Sequence, residues 1–410
     1  MKKASDLKQF AVDCANELLN HILPFWMDLM DDRGGFYGEV TSNLMLHPDA
    51  PKGVILHARI LWTFSSVYLK TGKQQYLDTA RHAYAFLQQA WDDTDGGFFW
   101  TLTPDGEPLE TDKYTYCNAF CIFSLCVYFE AAQDKKALEL ARKTAAAIEA
   151  HCACQTGYGE AYTHDWLPII NEHLSEYDLH PSRTMNTTLH LIEAYAALYR
   201  RTKDAEIGEK LRALLELTAE RIYNPVKQRL EVFFDSRFGS LGNVDSYGHD
   251  IEASWVLTDA CDALEDSRLK EQFQTICFAL AAHVRDTAFS ENAIYSESYQ
   301  DKADQTRVWW VLAEGVIGFL NAAQASEDIL HDTAEADSYY QCALRLWGYI
   351  KQYQIDRKNG GEWYAETDVD GRPKGSHEMA GLWKCPYHNT RMCLEVIQRI
   401  KAVLSSFGGT

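Results

Sequence analysis

The chain has 410 residues, of which 46% are hydrophobic and 24% charged, a composition typical of a soluble globular protein. Its formal net charge is −20. Because an acidic surface repels phosphate backbones, nucleic acid is not an expected partner. The length suits either two average domains or one large domain with a single core.

The cysteines and the apolar segments indicate a cellular compartment. The 11 cysteines are odd in number and form no CxxC pair, and most lie in apolar helical sequence. We therefore expect reduced, buried thiols in a cytoplasmic protein. The first 26 residues predict an amphipathic helix instead of a signal peptide, and no apolar run approaches the length of a membrane span. We expect no membrane association.

Beyond this first helix, the chain alternates between helix pairs and short hairpins. Acidic residues or Asn, then glycines, then alternating aromatics indicate six hairpin turns, near residues 35, 96, 158, 229, 292 and 361. Between them the hydrophobic pattern predicts helices at 54–72, 73–91, 114–132, 135–151, 184–202 and 206–222. The first helix of each pair is apolar nearly all round and should be buried, whereas the second has one charged face and should lie outside.

Six buried helices ringed by six amphipathic ones predict an all-α fold, the (α/α)6 toroid, with short hairpins between helix pairs. Two linked helical bundles are the alternative. The even spacing of the turns and the absence of a Pro- or Ser-rich linker favour one catalytic domain over residues 1–410.

Polar and aromatic residues mark the start of each predicted inner helix. Because every inner helix follows a hairpin at the same phase of the repeat, all six should run the same way, with their N-termini at one mouth of the toroid. Residues three or four apart on a helix also share a face. The residues expected to converge on one pocket are Arg59, Tyr116, Asn186, His190, His249, Glu252, Trp309, Trp310, Glu314, Trp383 and His388.

Each of these residues also has a structural interpretation. A single histidine at a helix start is more often a cap or core group than a catalyst, but three at one phase of a repeat favour a site. Arg59 inside an apolar helix needs a partner, either an ion pair or a ligand. Of Trp309 and Trp310, one should pack and one face the cavity, the alternative being that both are core. Three other histidines are expected at the surface: His82, His283 and His331.

Metal and cofactor motifs are absent from the sequence. The segment His-Cys-Ala-Cys at 151–154 lacks the second ligand pair that structural zinc requires. GxGxxG, P-loop, HExxH and GxSxG patterns are also missing, so no nucleotide cofactor, zincin chemistry or serine elbow is expected. We expect neither metal nor cofactor.

Five stretches in collinear order closely resemble the cellobiose 2-epimerases of the N-acylglucosamine 2-epimerase superfamily. They are GVILHARILWTFS, TMNTTLHLIEAY, SYGHDIEASW, TRVWWVLAE and WKCPYHNTRMCLEVI, and the similarity covers roughly residues 8–400. The resemblance implies an (α/α)6 barrel that epimerises C2 of the reducing-end sugar of β-1,4-linked disaccharides without metal or nucleotide. Cellobiose would become glucosyl-mannose, and lactose would become epilactose.

The same resemblance implies roles for individual residues. His249 and His388 match the two acid/base histidines, and Glu252 matches the acid that supports the histidine of the fourth inner helix. Arg59 matches the arginine that holds the open-chain oxygens, and His190 the histidine linked to ring opening. The matched sugar contacts are Tyr116, Asn186, Trp310 and Trp383. Asp178 matches no family motif and is a further candidate only because its loop precedes the third inner helix and could border the second-sugar site.

The implied mechanism passes through an opened sugar and a cis-enediolate. Inversion requires a proton to return on the opposite face, which two opposed histidines of near-neutral pKa would provide. Three alternatives remain: a monosaccharide aldose–ketose isomerase or N-acylglucosamine 2-epimerase of the same superfamily, a glycoside hydrolase with two carboxylates, and a non-catalytic sugar-binding protein. The expected partner is a small disaccharide, and the expected state a monomer or weak homo-oligomer.

Overall fold

The computed structural model describes residues 2–173, 177–375 and 377–407 and is predominantly helical. Its helices are α1 (Lys2–Glu17), α2 (Leu23–Met27), α3 (Val54–Thr71), α4 (Gln74–Gln89), α5 (Thr115–Ala132), α6 (Lys135–His151), α7 (Met185–Thr202), α8 (Ala205–Leu217), α9 (Tyr247–Leu264), α10 (Ser267–Thr287), α11 (Trp309–Ala325), α12 (Thr333–Tyr349) and α13 (Tyr387–Phe407). Single π-helical turns continue α1, α8, α11 and α12, at Leu18–Ile22, Thr218–Ile222, Ser326–Leu330 and Ile350–Gln354.

Six inner helices form a closed ring. The helices α3, α5, α7, α9, α11 and α13 each pack against the next, and α13 packs back against α3. The outer helices α4, α6, α8, α10 and α12 each pack on the inner helix that precedes them, and α1 packs on α13. Since a short connection makes each outer helix antiparallel to its inner partner, the inner helices share one polarity. The predicted all-α (α/α)6 toroid is confirmed.

Short antiparallel strands hold the starts of the inner helices together. The strand that leads into one inner helix pairs with the hairpin of the next unit, as β1 does with β2 and β7 with β10. An isolated bridge between Val40 and Ala380 closes this circle at the sixth unit. The strands are β1 (Lys52–Gly53), β2 (Thr101–Leu102), β3 (Pro108–Glu110), β4 (Lys113–Tyr114), β5 (Ala161–Tyr162), β6 (Pro168–Ile169), β7 (Arg183–Thr184), β8 (Tyr223–Asn224), β9 (Arg229–Leu230), β10 (Phe233–Phe234), β11 (Ser240–Leu241), β12 (Val244–Asp245), β13 (Phe289–Ser290), β14 (Ala293–Ile294), β15 (Glu297–Tyr299), β16 (Lys302–Asp304), β17 (Arg307–Val308) and β18 (Glu366–Thr367).

A buried cation two residues before the inner helix fixes several of these starts. Lys52 precedes α3 and its Nζ lies 2.8 Å from Asp31 in the first hairpin turn. Lys113 precedes α5 and binds Asp92 of the second turn at 2.7 Å. Both lysines have fully buried side chains, so removing either carboxylate would leave an uncompensated charge. Arg183, before α7, instead donates from Nε to a backbone carbonyl of the third hairpin at 2.8 Å.

Through these contacts, the hairpins determine where the inner helices begin. Gly35 illustrates how tightly a turn and a helix approach each other. Its φ is +64°, and a Cβ at this position would lie 2.6 Å from Nε2 of the buried His57 on α3. Only glycine meets both conditions without strain.

Three expectations outside the cavity have different outcomes. His331 is exposed as predicted, but the prediction is wrong for His82 and His283, which are partly buried. Nε2 of His82 lies 2.6 Å from the Gly35 carbonyl, and Nε2 of His283 lies 3.0 Å from a carboxylate oxygen of Asp245. An imidazole on an amphipathic helix can thus point at the hairpin beneath it instead of at solvent.

All eleven cysteines are free, and Cys154 is the one that is exposed. In the same segment the ring of His151 stacks on Trp166, with centroids 4.8 Å apart, so this histidine takes part in packing. In the described part of the chain, α5 has the length and hydropathy of a membrane-spanning helix, and 78% of it is buried inside the protein as the second inner helix.

Candidate active site

A cavity of about 430 Å³ opens at the end of the ring where the inner helices begin. This volume falls in the range of sites for small organic ligands. Ten of the twelve residues predicted to form a site line it, and every inner helix or its lead-in contributes. They are Arg59, Tyr116, Asn186, His190, His249, Glu252, Trp309, Trp310, Trp383 and His388. The shared polarity of the inner helices thus brings together residues that lie far apart in sequence.

The two remaining residues lie elsewhere. Glu314 is fully buried behind the cavity wall, where it contacts His388. Asp178 is exposed, with a φ of +58°, and does not line the cavity, so the structure gives no support to its assignment as a sugar contact. Part of its loop, at 174–176, lies outside the described residues.

Trp310 lies between two histidines of the cavity wall. The centroid of its indole is 4.8 Å from that of His249 and 5.6 Å from that of His388. Trp310 is half-buried, whereas Trp309 is 8% exposed, and both border the cavity. The expectation is that one tryptophan packs and the other faces the cavity. The two differ only in burial, and Trp309 is the more buried.

His388 has a defined hydrogen-bonded orientation. Its Nδ1 lies 2.7 Å from Oε1 of Glu314, so Nδ1–H donates and Nε2 remains for a ligand. Glu314 in turn accepts from Nε1 of Trp255 at 3.0 Å and from Nη2 of Arg391 at 2.6 Å. Because every partner of this carboxylate is itself buried, the imidazole is held from behind by a rigid set of groups.

His249 is oriented by a different residue from the one predicted. Its Nδ1 lies 2.7 Å from Oγ of Ser246, the residue that precedes α9. Glu252, the acid that the family resemblance assigned to this histidine, instead accepts from Nη2 of Arg391. No hydrogen bond between Glu252 and His249 is found in the described residues, so a supporting role of Glu252 stays a prediction. The i,i+3 spacing did place both side chains at the cavity, but the buried guanidinium is the stronger partner for a carboxylate.

His190 is held by a carboxylate that the sequence analysis did not identify. Its Nδ1 lies 3.2 Å from Oε2 of Glu193, one turn further along α7. Glu193 also accepts from Nη1 of Arg391 at 2.8 Å and from the Tyr387 hydroxyl at 3.2 Å. Arg391 thus contacts three buried carboxylates, and two of these bind histidines of the cavity. A charge inside a helix that is otherwise apolar was the available sequence signal for this network.

Arg59 is a buried guanidinium that no carboxylate pairs with in the described part of the chain. Its Nη2 donates to the Tyr116 hydroxyl at 2.6 Å, its Cζ lies 4.4 Å from the Phe120 ring centroid, and its Nε has no partner among the described residues. Within the described ranges, the buried Oδ1 of Asn186 also lacks a hydrogen-bond partner. Unsatisfied polar groups of this kind mark positions where a bound ligand can complete the hydrogen bonding.

Burial favours the neutral form of the histidines of the site. It lowers the pKa of His190 and of His249 to about 3, and it lowers the pKa of His388 well below its ordinary value. These pKa values lie below the near-neutral range that the implied two-histidine mechanism predicts. Burial is the main cause, and it acts by penalising the charged form.

The outer rim of the cavity is polar and comes from residues of the loops and hairpins that the sequence analysis did not single out. Tyr177 donates to Glu297, and its ring stacks on Tyr299 with centroids 4.0 Å apart. The rim residues are His173, Ser296, Glu297, Asp304, Thr306, Glu366 and His377.

Carboxylates and an imidazole approach within 4.8 Å of one another at two places in the described residues. One group is Glu252, Glu314 and His388, and the other is Asp245, Asp250 and His283. Each group already includes a guanidinium: Arg391 binds the first, and Arg229 lies 3.3 Å from Asp245 in the second. These contacts identify both groups as ion-pair networks, since a divalent ion there would lie beside a fixed positive charge.

The ring of helices and the histidine-lined cavity define an (α/α)6-barrel protein with a site of sugar size. The chain belongs to the N-acylglucosamine 2-epimerase (GlcNAc 2-epimerase) family, whose profile matches residues 35–391. It is 43% identical over 385 residues to a cellobiose 2-epimerase of Ruminococcus albus, covering 93% of this chain and 97% of that enzyme. It is 38% identical to a cellobiose 2-epimerase of Dictyoglomus turgidum, covering 96% and 100%.

Comparison with solved structures gives the same family assignment. A sugar epimerase from a ruminal bacterium superposes with a TM-score of 0.92 at 42% identity, covering 95% of this chain and 99% of that one. The cellobiose 2-epimerase of Bacillus thermoamylovorans superposes with a TM-score of 0.91 at 36% identity, covering 96% and 100%. A D-mannose isomerase at 18% identity shares the fold, with a TM-score of 0.79.

Proposed function

We propose that the protein is an isomerase of the cellobiose 2-epimerase type. It inverts C2 of the reducing-end glucose of β-1,4-linked disaccharides, so that cellobiose becomes glucosyl-mannose and lactose becomes epilactose. The observation that carries the proposal is the convergence of His249 and His388 on one cavity beside the guanidinium of Arg59, which no carboxylate of the described residues contacts. Relatives named cellobiose 2-epimerase, 38–43% identical over nearly the whole chain, support it.

The chemistry begins with ring opening, which exposes the C1 aldehyde and acidifies the hydrogen on C2. One imidazole takes this hydrogen as a proton, and the C2–H electron pair enters an enediolate. The opposed histidine, which enters the step as an imidazolium, then delivers its proton to the other face of C2 and becomes neutral, so the two histidines exchange protonation states in each turnover. Burial lowers the pKa values of both histidines, and the negative charge of the enediolate opposes this shift once it forms.

Arg59 and His190 stabilise the oxygens of the intermediate. A guanidinium that needs no rearrangement favours the charge that develops on O1 and O2 more than it favours the neutral sugar. Tyr116 donates or accepts beside them, and the free Oδ1 of Asn186 accepts from a sugar hydroxyl. The indoles of Trp309, Trp310 and Trp383 offer flat faces for the sugar rings. The family resemblance supports these roles for all of the named residues except Trp309, which is proposed from its place in the cavity wall.

A product assay tests the proposal. Purified protein is incubated with cellobiose, lactose, mannose and N-acetylglucosamine, and the products are separated. We expect the C2 epimers of the two disaccharides and little turnover of the monosaccharides. Conversion of mannose to fructose, or of N-acetylglucosamine to N-acetylmannosamine, with both disaccharides unchanged would contradict the proposal. Release of glucose would indicate a hydrolase, which the network disfavours because Glu252 and Glu314 both bind Arg391.

We further propose a single catalytic domain over residues 1–410 that acts in the cytoplasm as a monomer or weak homo-oligomer, without metal, cofactor, nucleic acid or membrane. The free cysteines support a reducing compartment. Full epimerase activity is expected after dialysis against EDTA, with no gain when Mg²⁺, Mn²⁺ or Zn²⁺ is restored. A loss that one of these ions reverses would contradict metal independence.

A further inference from the structure

Three inner helices carry a buried polar residue at the same position, the fourth residue of the helix. In α3 it is His57, in α5 Asn118 and in α9 Asp250. Each accepts a hydrogen bond from a backbone N–H of the hairpin that its unit packs against. The pairs are Phe36 N to His57 Nε2 at 2.8 Å, Phe98 N to Asn118 Oδ1 at 2.9 Å and Leu230 N to Asp250 Oδ1 at 2.9 Å.

In the first two units the second polar atom of the side chain is a donor. His57 accepts at Nε2, so its Nδ1 carries the proton and donates to the Gly53 carbonyl at 2.7 Å. Asn118 donates from Nδ2 to the Tyr114 carbonyl at 2.9 Å. In both cases the acceptor is the carbonyl four residues earlier, where the chain enters the helix. The side chain therefore ties the hairpin to the helix start through one acceptor and one donor.

Asp250 has the acceptor of this pattern but, when ionised, no donor. Its side chain is 1% exposed, and Oδ2 is buried without a partner in the described residues. A carboxylate oxygen of Asp245 lies within 4.8 Å of one of its own, and Asp245 forms an ion pair with Arg229 at 3.3 Å. A second negative charge at this distance, cut off from water, is strongly disfavoured.

We propose that Asp250 is a neutral carboxylic acid in the folded protein, whose Oδ2–H donates to the carbonyl of Ser246 as Asn118 Nδ2 donates to Tyr114. Its pKa is raised well above the ordinary value, first by burial and then by Asp245. Ser246 is also the residue whose hydroxyl holds Nδ1 of His249 at 2.7 Å. Asp250 is thus a positioning residue for this histidine, and that consequence rests on the proposed function.

The surroundings of Asp250 fix the sign of its pH dependence. The titratable and charged groups that face it from the neighbouring elements are Tyr223, Arg229, Glu231, Asp245, Tyr247 and His283. Above the unfolded pKa near 4, the unfolded chain has released the proton that the folded protein keeps. The folded state therefore loses stability as pH rises, up to the folded-state pKa of this group.

The test compares urea unfolding of the wild type with that of Asp250→Asn, which keeps the shape and supplies a permanent N–H donor, at pH 5.5, 6.5, 7.5 and 8.5. The folded-to-unfolded ratio of the wild type, relative to that of the variant, is expected to fall about tenfold per pH unit while Asp250 stays protonated. A pH-independent difference, or a ratio that rises with pH, would overturn the proposal. Asn118→Asp is the reciprocal variant and should gain a pH dependence of the same sign.

A spectroscopic measurement stands independently of whether any variant folds. Wild-type protein labelled with ¹³C in the aspartate carboxyl groups should show one protonated-carboxyl band in the infrared at pH 7.5. The absence of this band would overturn the assignment. Epimerase activity adds a third readout: Asp250→Asn should stay within about threefold of the wild type, and Asp250→Ala should lose more than about tenfold. If the protein proves not to be an epimerase, the two protonation measurements remain valid.

Discussion

Replacing His249 or His388 with alanine is expected to lower kcat for cellobiose by about 10²- to 10⁴-fold, because each variant lacks one of the two groups that move the C2 proton. The two rings flank Trp310 at one cavity. Product formation at saturating cellobiose is the measurement. The matched control is His164→Ala, since the ring of this histidine is exposed, and it should retain wild-type rates.

Hydrogen exchange in D2O distinguishes a two-base mechanism from a one-base mechanism. The wild type should place deuterium at C2 of the product. A variant that keeps one histidine can still remove and return a proton on one face, so it should exchange the C2 hydrogen of one epimer without inverting it. His249→Ala and His388→Ala should therefore exchange opposite epimers. Near-native epimerisation in either variant, or exchange of the same epimer by both, would contradict the assignment.

The sequence predicts the ring and the cavity wall because both follow from local periodicity. The order of hairpin and apolar helix recurs six times along the chain. Residues in the first turns of these helices, such as Arg59 and His249, therefore lie at the same end of the barrel. The predicted helix at 54–72 is observed at Val54–Thr71, and the one at 184–202 at Met185–Thr202. Helix spacing alone is sufficient for these predictions.

The hydrogen-bond partners of the cavity-lining residues could not be predicted in the same way. Glu252 lies one turn from His249, yet it binds Arg391, which is 139 residues away in sequence. The choice between two partners for a buried carboxylate depends on which cation the folded ring brings nearest, and local spacing does not contain that information. Rim residues such as Glu297 depend on hairpin and loop conformation, for which a turn motif gives only a position along the chain.

Replacing Arg391 with methionine is expected to destabilise the protein by about 3–5 kcal/mol, because it leaves buried carboxylates without their cation. Arg391 binds Glu193, Glu252 and Glu314, and its own side chain is 2% exposed. Urea unfolding at pH 7 measures the loss. The control is Arg399→Met on the same helix, where the partner Glu395 is partly exposed at 3.0 Å, and about 1 kcal/mol or less is expected.

The same substitution should also lower kcat, because Glu314 and Glu193 hold His388 and His190 only while their own positions are fixed. Adding Glu252→Gln to Arg391→Met removes one uncompensated charge, so the double variant should regain part of the lost stability. It should not regain the activity, since the orientation of the histidines is not restored. If Arg391→Met were as stable as Arg399→Met, the three carboxylates could not all be ionised in the folded protein, and at least one would have to carry its own proton.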